Sequence, residues 1–145
     1  MWDKIVKTLC AIGGAIAGLF GQCPEMLTIL VVAMTLDYIS GVIVAATGRS
    51  HKTESGGLSS KVGFIGLAKK GFIMLIVLLA TLLDHAIGDS AMLFQSAAAC
   101  YYIANEGLSV LENAVLMDLP VPGVIKKALE ELRDKGDQGD GKGGD

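Results

Sequence analysis

Histidine and cysteine, the side chains that most often bind metals or act as nucleophiles, are scarce in this sequence. The two histidines, His51 and His85, and the three cysteines, Cys10, Cys23 and Cys100, all stand far apart. A metal site or a disulfide framework needs several such residues at closer spacing. No nucleophile and base stand at a recognisable spacing, and no glycine-rich loop has the pattern of a phosphate site. The sequence therefore predicts a protein that is not an enzyme and has no cofactor or metal.

Charged residues are also few, and their balance excludes a second class of function. They make up 19% of the chain, against roughly 25% in soluble domains. The net charge is −3, so no basic surface for nucleic acid is present. Hydrophobic residues make up 52% of the chain and are grouped in long blocks. This distribution is typical of an integral membrane protein whose first partner is the lipid bilayer.

Four apolar blocks of 17 to 27 residues can be distinguished, at residues 5–21, 26–47, 71–88 and 91–117. A helix rises about 1.5 Å per residue, so about 20 residues cross the ~30 Å hydrocarbon core of a bilayer. The second and third blocks are long enough, the first is marginal, and the fourth is long but polar in its second half. We predict an all-α integral membrane protein with about four transmembrane helices in two hairpins, occupying residues 1–117.

The connectors support this count. Residues 22–25 contain a proline that separates the first block from the second, and Asp89 and Ser90 can cap the fourth helix. The middle connector is longer. We interpret its polar part, residues 48–61, as a loop, and residues 62–70 as an interfacial turn that leads into the third helix.

The positions of lysine and arginine predict the orientation in the membrane, because basic residues concentrate in cytoplasmic segments. Two of the twelve lie in or before the first block, five between the second and third, and five after the fourth. The connectors at 22–25 and 89–90 have none. This pattern predicts a multi-pass protein of the bacterial cytoplasmic membrane with both its N-terminus and its C-terminus in the cytoplasm.

The first block allows two interpretations. Gly14 and Gly18 form a G-x-x-x-G pair, which lets transmembrane helices approach one another closely and favours a retained helix. Alternatively, the early lysines and the small residues Ala15 and Ala17 resemble the cleavage region of a signal peptide. We favour the retained helix.

The region after the fourth block divides into two parts. Apolar residues recur at helical spacing along one side of the first part: Ile125, Ala128, Leu129 and Leu132. We predict residues 118–135 to be a cytoplasmic amphipathic helix that lies on the membrane surface or packs on another helix. Half of the residues at 136–145 are glycine, and this segment is predicted to be a flexible acidic tail.

Asp37 stands near the middle of the second block, where a charged group is costly unless it faces protein or water. The small residues Ala33, Gly41 and Ala45 lie on the same side of the helix, so Gly41 and Ala45 are candidates for close helix packing. Asp37 is then either a buried, hydrogen-bonded residue that fixes this packing or a group that lines an aqueous opening.

The fourth block carries a polar stripe at i, i+3/i+4, i+7 spacing, formed by Asn105, Glu106, Ser109, Glu112 and Asn113. A helix patterned in this way is not suited to lipid on all sides. It requires a partner helix, another copy of the chain, or water. The stripe and Asp37 are therefore the candidate intramembrane and oligomer-contact residues.

Several segments bear a resemblance to a known family. They are LDYISGVIVAA at 36–46, LSSKVGFIGLAKK at 58–70, LLDHAIG at 82–88, YYIANEGLSVLENA at 101–114 and LPVPGVIKKALEELRDK at 119–135. In this order they resemble the phage lysis and toxin-secretion holins, small multi-span proteins of bacteriophages. Two regions depart from the family pattern: the loop at 49–57 is longer than expected, and the tail is acidic rather than strongly basic.

The resemblance implies a function. Holins oligomerise in the cytoplasmic membrane and at a set time open lesions through which an endolysin reaches the cell wall; some are linked to toxin release. The implied partners are the bilayer, other copies of the chain and, functionally, an endolysin. Two alternatives remain open at this point: a small four-helix proton-coupled transporter that uses Asp37 or Glu106, and a passive membrane scaffold subunit.

Overall fold

A computed structural model describes residues 1–19 and 24–138, and these residues form an all-helical structure. The five helices are α1 (Trp2–Leu19), α2 (Pro24–Ala46), α3 (Ser60–Ile87), α4 (Leu93–Leu116) and α5 (Gly123–Gln138). The prediction of an all-α protein is confirmed for this part of the chain. Residues 20–23, which include the end of the predicted first block and the first half of the predicted connector at 22–25, and the tail residues 139–145 lie outside it.

Helices α2 and α3 are the two described helices that are long and apolar enough to cross a membrane. Large apolar side chains cover their outer surfaces and are about half exposed, for example Ile29, Leu36 and Ile43 on α2 and Leu75 and Leu79 on α3. Helices α1 and α4 do not reach this level of apolarity over their described lengths. The predicted count of four spans therefore stays a prediction.

Helix α3 begins earlier than the sequence analysis predicted. The hydroxyl of Ser59 accepts a hydrogen bond from the backbone N–H of Val62, so the helix begins at Ser60 and continues to Ile87. Gly88 ends it with a left-handed φ of 72°. The interpretation of residues 62–70 as an interfacial turn was wrong, because the cap at Ser59 and the lack of proline let the helix form without interruption.

The turn between α3 and α4 is fixed by two carboxylates. Asp84, fully buried near the end of α3, accepts hydrogen bonds from the backbone N–H groups of Phe94 at 2.9 Å and Gln95 at 2.8 Å. The predicted cap Asp89 also contributes, by accepting from Leu93 at 3.1 Å. Helix α4 is thus capped mainly from the preceding helix, and it begins at Leu93 rather than at the predicted residue 91.

Helix α4 is the central helix. It packs against α2, α3 and α5, and none of its residues from Gln95 to Leu111 is exposed. An apolar core formed by Leu30, Met34 and Val77 fills the half of the α2–α3–α4 bundle that lies near the α3–α4 turn. The other half of the bundle interior is polar.

Helix α5 folds back along α4 instead of extending away from it. Leu129 contacts the position of Gly107, and Gly136 lies against the backbone of Ala97 and Tyr101. The helix continues to Gln138, three residues past the predicted boundary with the tail. Of the two arrangements allowed by the sequence, packing on another helix is the one that the structure contains.

Candidate functional site

Three charged side chains from three helices meet inside the bundle. The Nζ atom of Lys70 on α3 donates to Oδ2 of Asp37 on α2 at 2.7 Å, and it also pairs with Oε2 of Glu106 on α4. Between 10% and 12% of each side chain is exposed. We call these residues the ion triad. It connects the central helix to both of its neighbours.

The burial of the ion triad makes each charge depend on the others. Desolvating an ion costs several kcal/mol, and removing one partner of a buried pair typically costs about 3–5 kcal/mol because a charge is left uncompensated. One ammonium group faces two carboxylates here. The second oxygen of Asp37, Oδ1, is buried and has no hydrogen-bond partner among the described residues.

Lys70 is the functional residue that sequence reasoning missed. It was assigned to the cytoplasmic connector, because the basic residues between the second and third blocks were counted together. The sequence feature that could have identified Lys70 was the pair of acids Asp37 and Glu106, because acids predicted to lie within the membrane require a nearby cation. Extending the third helix back to Ser60 would have placed Lys70 at their depth.

Residues 48–59 lie between α2 and α3, and we call them the 48–59 loop. A second polar contact lies next to the ion triad on the side of this loop. The amide of Asn113 donates to the hydroxyl of Ser40 at 2.8 Å. A Cβ atom added at Gly41 would lie 3.8 Å from the same amide nitrogen, an ordinary van der Waals contact, so Gly41 faces Asn113. The predicted residues Asp37, Gly41, Glu106 and Asn113 are therefore brought together.

The remaining predicted residues lie in different settings. Asn105 and Ser109 are half-buried on α4, whereas Glu112 is exposed. Ala45 is half-buried and borders a cavity beside the ion triad. At Gly14 and Gly18 of α1 an added Cβ would meet nothing within 4 Å, so their role in packing stays a prediction.

Two cavities border the polar half of the bundle, both under the 48–59 loop. One of about 400 Å³ is lined by the ion triad together with Lys52 and Thr53 of the loop. The other, of about 350 Å³, is lined by Ser109, Glu112 and Asn113 with loop residues such as His51. Water can therefore approach the polar stripe from the loop end of the bundle.

The site is built from ion pairs and hydrogen bonds between helices. In the described part of the chain, no group of three or more His, Cys, Asp or Glu residues is placed to hold a metal ion. What the arrangement can do is hold three helices in register through charges that are costly to separate, with space for water beside them.

Comparison with known proteins agrees with this description. The model of the bacteriophage holin family matches residues 14–134. A probable holin of Bacillus phage phi105 is 32% identical over 122 residues, which are 84% of this chain and 84% of the phage protein. No solved structure matches the chain.

Further relatives match over nearly their whole length. An uncharacterised protein of Halalkalibacterium halodurans is 36% identical over 142 residues, covering 94% of this chain and 98% of that protein. An uncharacterised 14.9 kDa protein of Clostridium perfringens is 33% identical over 127 residues, covering 88% and 91% respectively. The resemblance found in the sequence is confirmed, and the chain belongs to the bacteriophage holin family.

Proposed function

We propose that this chain oligomerises in the bacterial cytoplasmic membrane and opens timed lesions, through which an endolysin reaches the cell wall and the host lyses. Its membership of the bacteriophage holin family, whose members permeabilise membranes and are not enzymes, supports the general role. The family resemblance extends the proposal to the release of a toxin through the same lesions.

One observation about the geometry carries the proposal: the bundle has apolar side chains outside and charged side chains inside. Ile29, Val32 and Leu36 are each about half exposed on α2, whereas Asp37 beside them is 91% covered. Soluble monomers rarely expose apolar patches of this extent, and charges inside a membrane protein face the bundle interior or water. Lipid around α2 and α3 is the environment that satisfies both conditions.

The proposed topology has four spans. α2 and α3 cross the membrane as an apolar hairpin, and α1 and α4 are the other two spans. α4 is acceptable at membrane depth because its side chains from Gln95 to Leu111 are buried or half-buried against protein, and the exposed Glu112 lies near its cytoplasmic end. The distribution of the basic residues supports a topology in which the 48–59 loop and both termini are cytoplasmic when the chain first inserts.

In this proposal the polar groups of the ion triad and of the Ser40–Asn113 pair exchange their hydrogen-bond and ion-pair partners when copies of the chain assemble. Interhelical hydrogen bonds in membranes average about 0.6 kcal/mol, so one such bond does not hold an oligomer. A series of polar groups repeated in every copy can do so. As copies gather, polar groups that were satisfied within one chain become satisfied by a neighbouring copy or by water, which stabilises an aqueous opening.

The direct test is expression from an inducible promoter, with a membrane-potential dye in the medium. We expect the protein to accumulate in the membrane while growth continues, followed by an abrupt loss of potential and arrest of growth. A transporter would give a flux that depends on a substrate, and a scaffold would give neither. Membrane accumulation of the protein with a sustained potential would contradict the proposal.

A further inference from the structure

Helix α5 lies on the far side of α4 from the other helices. It contacts α4, and within residues 1–19 and 24–138 it shares no interface with α2 or α3. None of the α4 residues from Gln95 to Leu111 is exposed, although α2 and α3 cover only one side of this helix. α5 covers the other side. The folded chain therefore has two opposite faces: the outer surface of α2 and α3, and the outer surface of α5.

The contact between α4 and α5 is close enough to require glycine. A Cβ atom added at Gly136 would lie 2.6 Å from the backbone nitrogen of Tyr101 and 2.7 Å from the carbonyl oxygen of Ala97. At the other end, a Cβ atom added at Gly107 would lie 2.9 Å from Cδ2 of Leu129. The two helices therefore run antiparallel with their backbones nearly in contact, and Gly136 lies near the α3–α4 turn.

These contacts place α5 at the same depth as α4. Its 16 residues extend about 24 Å, which is most of the thickness of a hydrocarbon core. The residues that touch α4 are half-buried at helical spacing, among them Leu129, Leu132 and Gly136. The opposite side of α5 is exposed and carries the charged residues Lys127, Glu131, Asp134 and Lys135, and the exposed Lys126 and Asp137 lie at its edge. Charged side chains at membrane depth face water or protein and not lipid.

We infer that the charged outer face of α5 lines the aqueous opening in the assembled lesion, while the apolar faces of α2 and α3 contact lipid. A subunit with a lipid face on one side and a charged face on the other is what a ring around water requires. The inference rests on the proposed function. It also revises the role of α5, which is then a wall of the opening rather than a helix on the cytoplasmic surface. Because Gly136 lies near the α3–α4 turn, the C-terminal end of α5 is then on the outer side of the membrane in the assembled lesion, whereas the cytoplasmic C-terminus describes the chain as it first inserts.

A disulfide between α4 and α5 tests this inference. Gly107→Cys and Leu129→Cys are combined in a chain whose three native cysteines are replaced by alanine, and the protein is oxidised in lipid vesicles that contain a dye. The control pair is Gly107→Cys with Lys127→Cys, because Lys127 lies on the outer face. We expect efficient cross-linking of the first pair alone, and equal rates of dye release from its oxidised and reduced forms.

Two results would overturn the inference. Absence of the cross-link in the membrane would mean that α5 does not dock on α4 there. Dye release that begins only after reduction would mean that α5 must leave α4 before a lesion opens. Cross-linking does not depend on dye release, so a protein that cross-links but never releases dye, even when reduced, counts against the proposed function and not against the docking of α5.

A second measurement examines the charge of the opening. Glu131→Lys with Asp134→Lys reverses two exposed charges of α5, and Glu54→Lys reverses an exposed charge in the 48–59 loop as the matched control. In a planar bilayer under a gradient of dilute KCl, at about 0.01 M, the Debye length is about 30 Å, so charges on the wall set ion selectivity even in a wide opening. We expect the α5 variant to shift the reversal potential towards anion selectivity and the control to leave it unchanged. An unshifted α5 variant would show that this face does not line the opening.

Discussion

The ammonium nitrogen of Lys70 lies 2.7 Å from Oδ2 of Asp37 and pairs on its other side with Glu106. A single cation on α3 thus holds a carboxylate on α2 and another on α4. Nearly all of each side chain is covered, so the charges are compensated by one another rather than by water. The position of the central helix between its two neighbours depends on this contact.

Lys70→Met should therefore destabilise the protein strongly. It leaves two carboxylates buried beside each other without a cation, and loss of one member of a buried ion pair costs about 3–5 kcal/mol. The free energy of unfolding, measured by denaturant titration in mild detergent, checks this value. Lys69→Met is the matched control, because Lys69 is adjacent but exposed, and it should change the stability by no more than about 0.5 kcal/mol. Equal stability of the two variants would mean that the ion triad does not hold the bundle together.

Glu106→Leu should have a different effect from Lys70→Met. It leaves Lys70 paired with Asp37, one charge against one, so insertion into the membrane should persist and the loss of stability should be smaller. The opening of lesions should nevertheless be delayed or abolished, because the polar face of α4 loses its buried charged member. The measurement is the time to loss of membrane potential at matched protein levels.

Glu112→Gln is the companion variant for this comparison. Glu112 is exposed and borders a cavity, so water already reaches it and the neutral variant should depolarise cells at nearly the normal time. Normal timing of Glu106→Leu, or a greater delay for Glu112→Gln, would show that the ion triad does not organise the lesion.

The helical periodicity of the sequence placed the polar residues of α4 on one side, and it identified Asp37 as a group that needs protein or water. It did not identify Lys70 as the cation that pairs with Asp37 and Glu106. Lys70 stands in a segment whose glycines and paired lysines are equally compatible with a surface turn. Only the cap at Ser59 and the packing of α3 against α2 carry this lysine to the depth of the two acids.

Asp84→Asn should destabilise the α3–α4 turn. Asp84 is fully buried and accepts hydrogen bonds from two backbone N–H groups at the start of α4, and an amide replaces one of its acceptor oxygens with a donor. Loss of a helix cap costs about 0.5–2 kcal/mol, and an unsatisfied buried donor adds to this. The same detergent titration checks the value. Asp89→Asn, at a less buried position, should cost less, and the reverse order would contradict the assignment of Asp84 as the main cap.

The contact of α5 with α4 is a second feature that the sequence predicted only in part. Its apolar stripe was predicted at Ile125, Ala128, Leu129 and Leu132, but Ile125 is 48% exposed and Gly136 is part of the contact with α4 instead. A glycine next to a glycine-rich sequence gives no signal of packing. Its importance follows from the distance between two backbones, which depends on the tertiary fold.

The topology can be tested through Cys23, which lies outside the described residues and in a connector predicted to be outside the cell. In a chain with Cys10 and Cys100 replaced, a membrane-impermeant thiol reagent should label Cys23 in intact cells before lesions open. A cysteine placed at Ser50, in the 48–59 loop, should be protected until the cells are broken. Protection of Cys23 together with labelling at position 50 would reverse the proposed orientation.

The most direct test of the central claim, that this chain opens lesions large enough for an endolysin, is co-expression with an endolysin that lacks an export signal of its own. The measurement is the optical density of the culture after induction. We predict abrupt lysis at a reproducible time when both proteins are present, and no lysis with the endolysin alone. Continued growth of cells that contain the chain in their membrane and active endolysin in their cytoplasm would contradict the account.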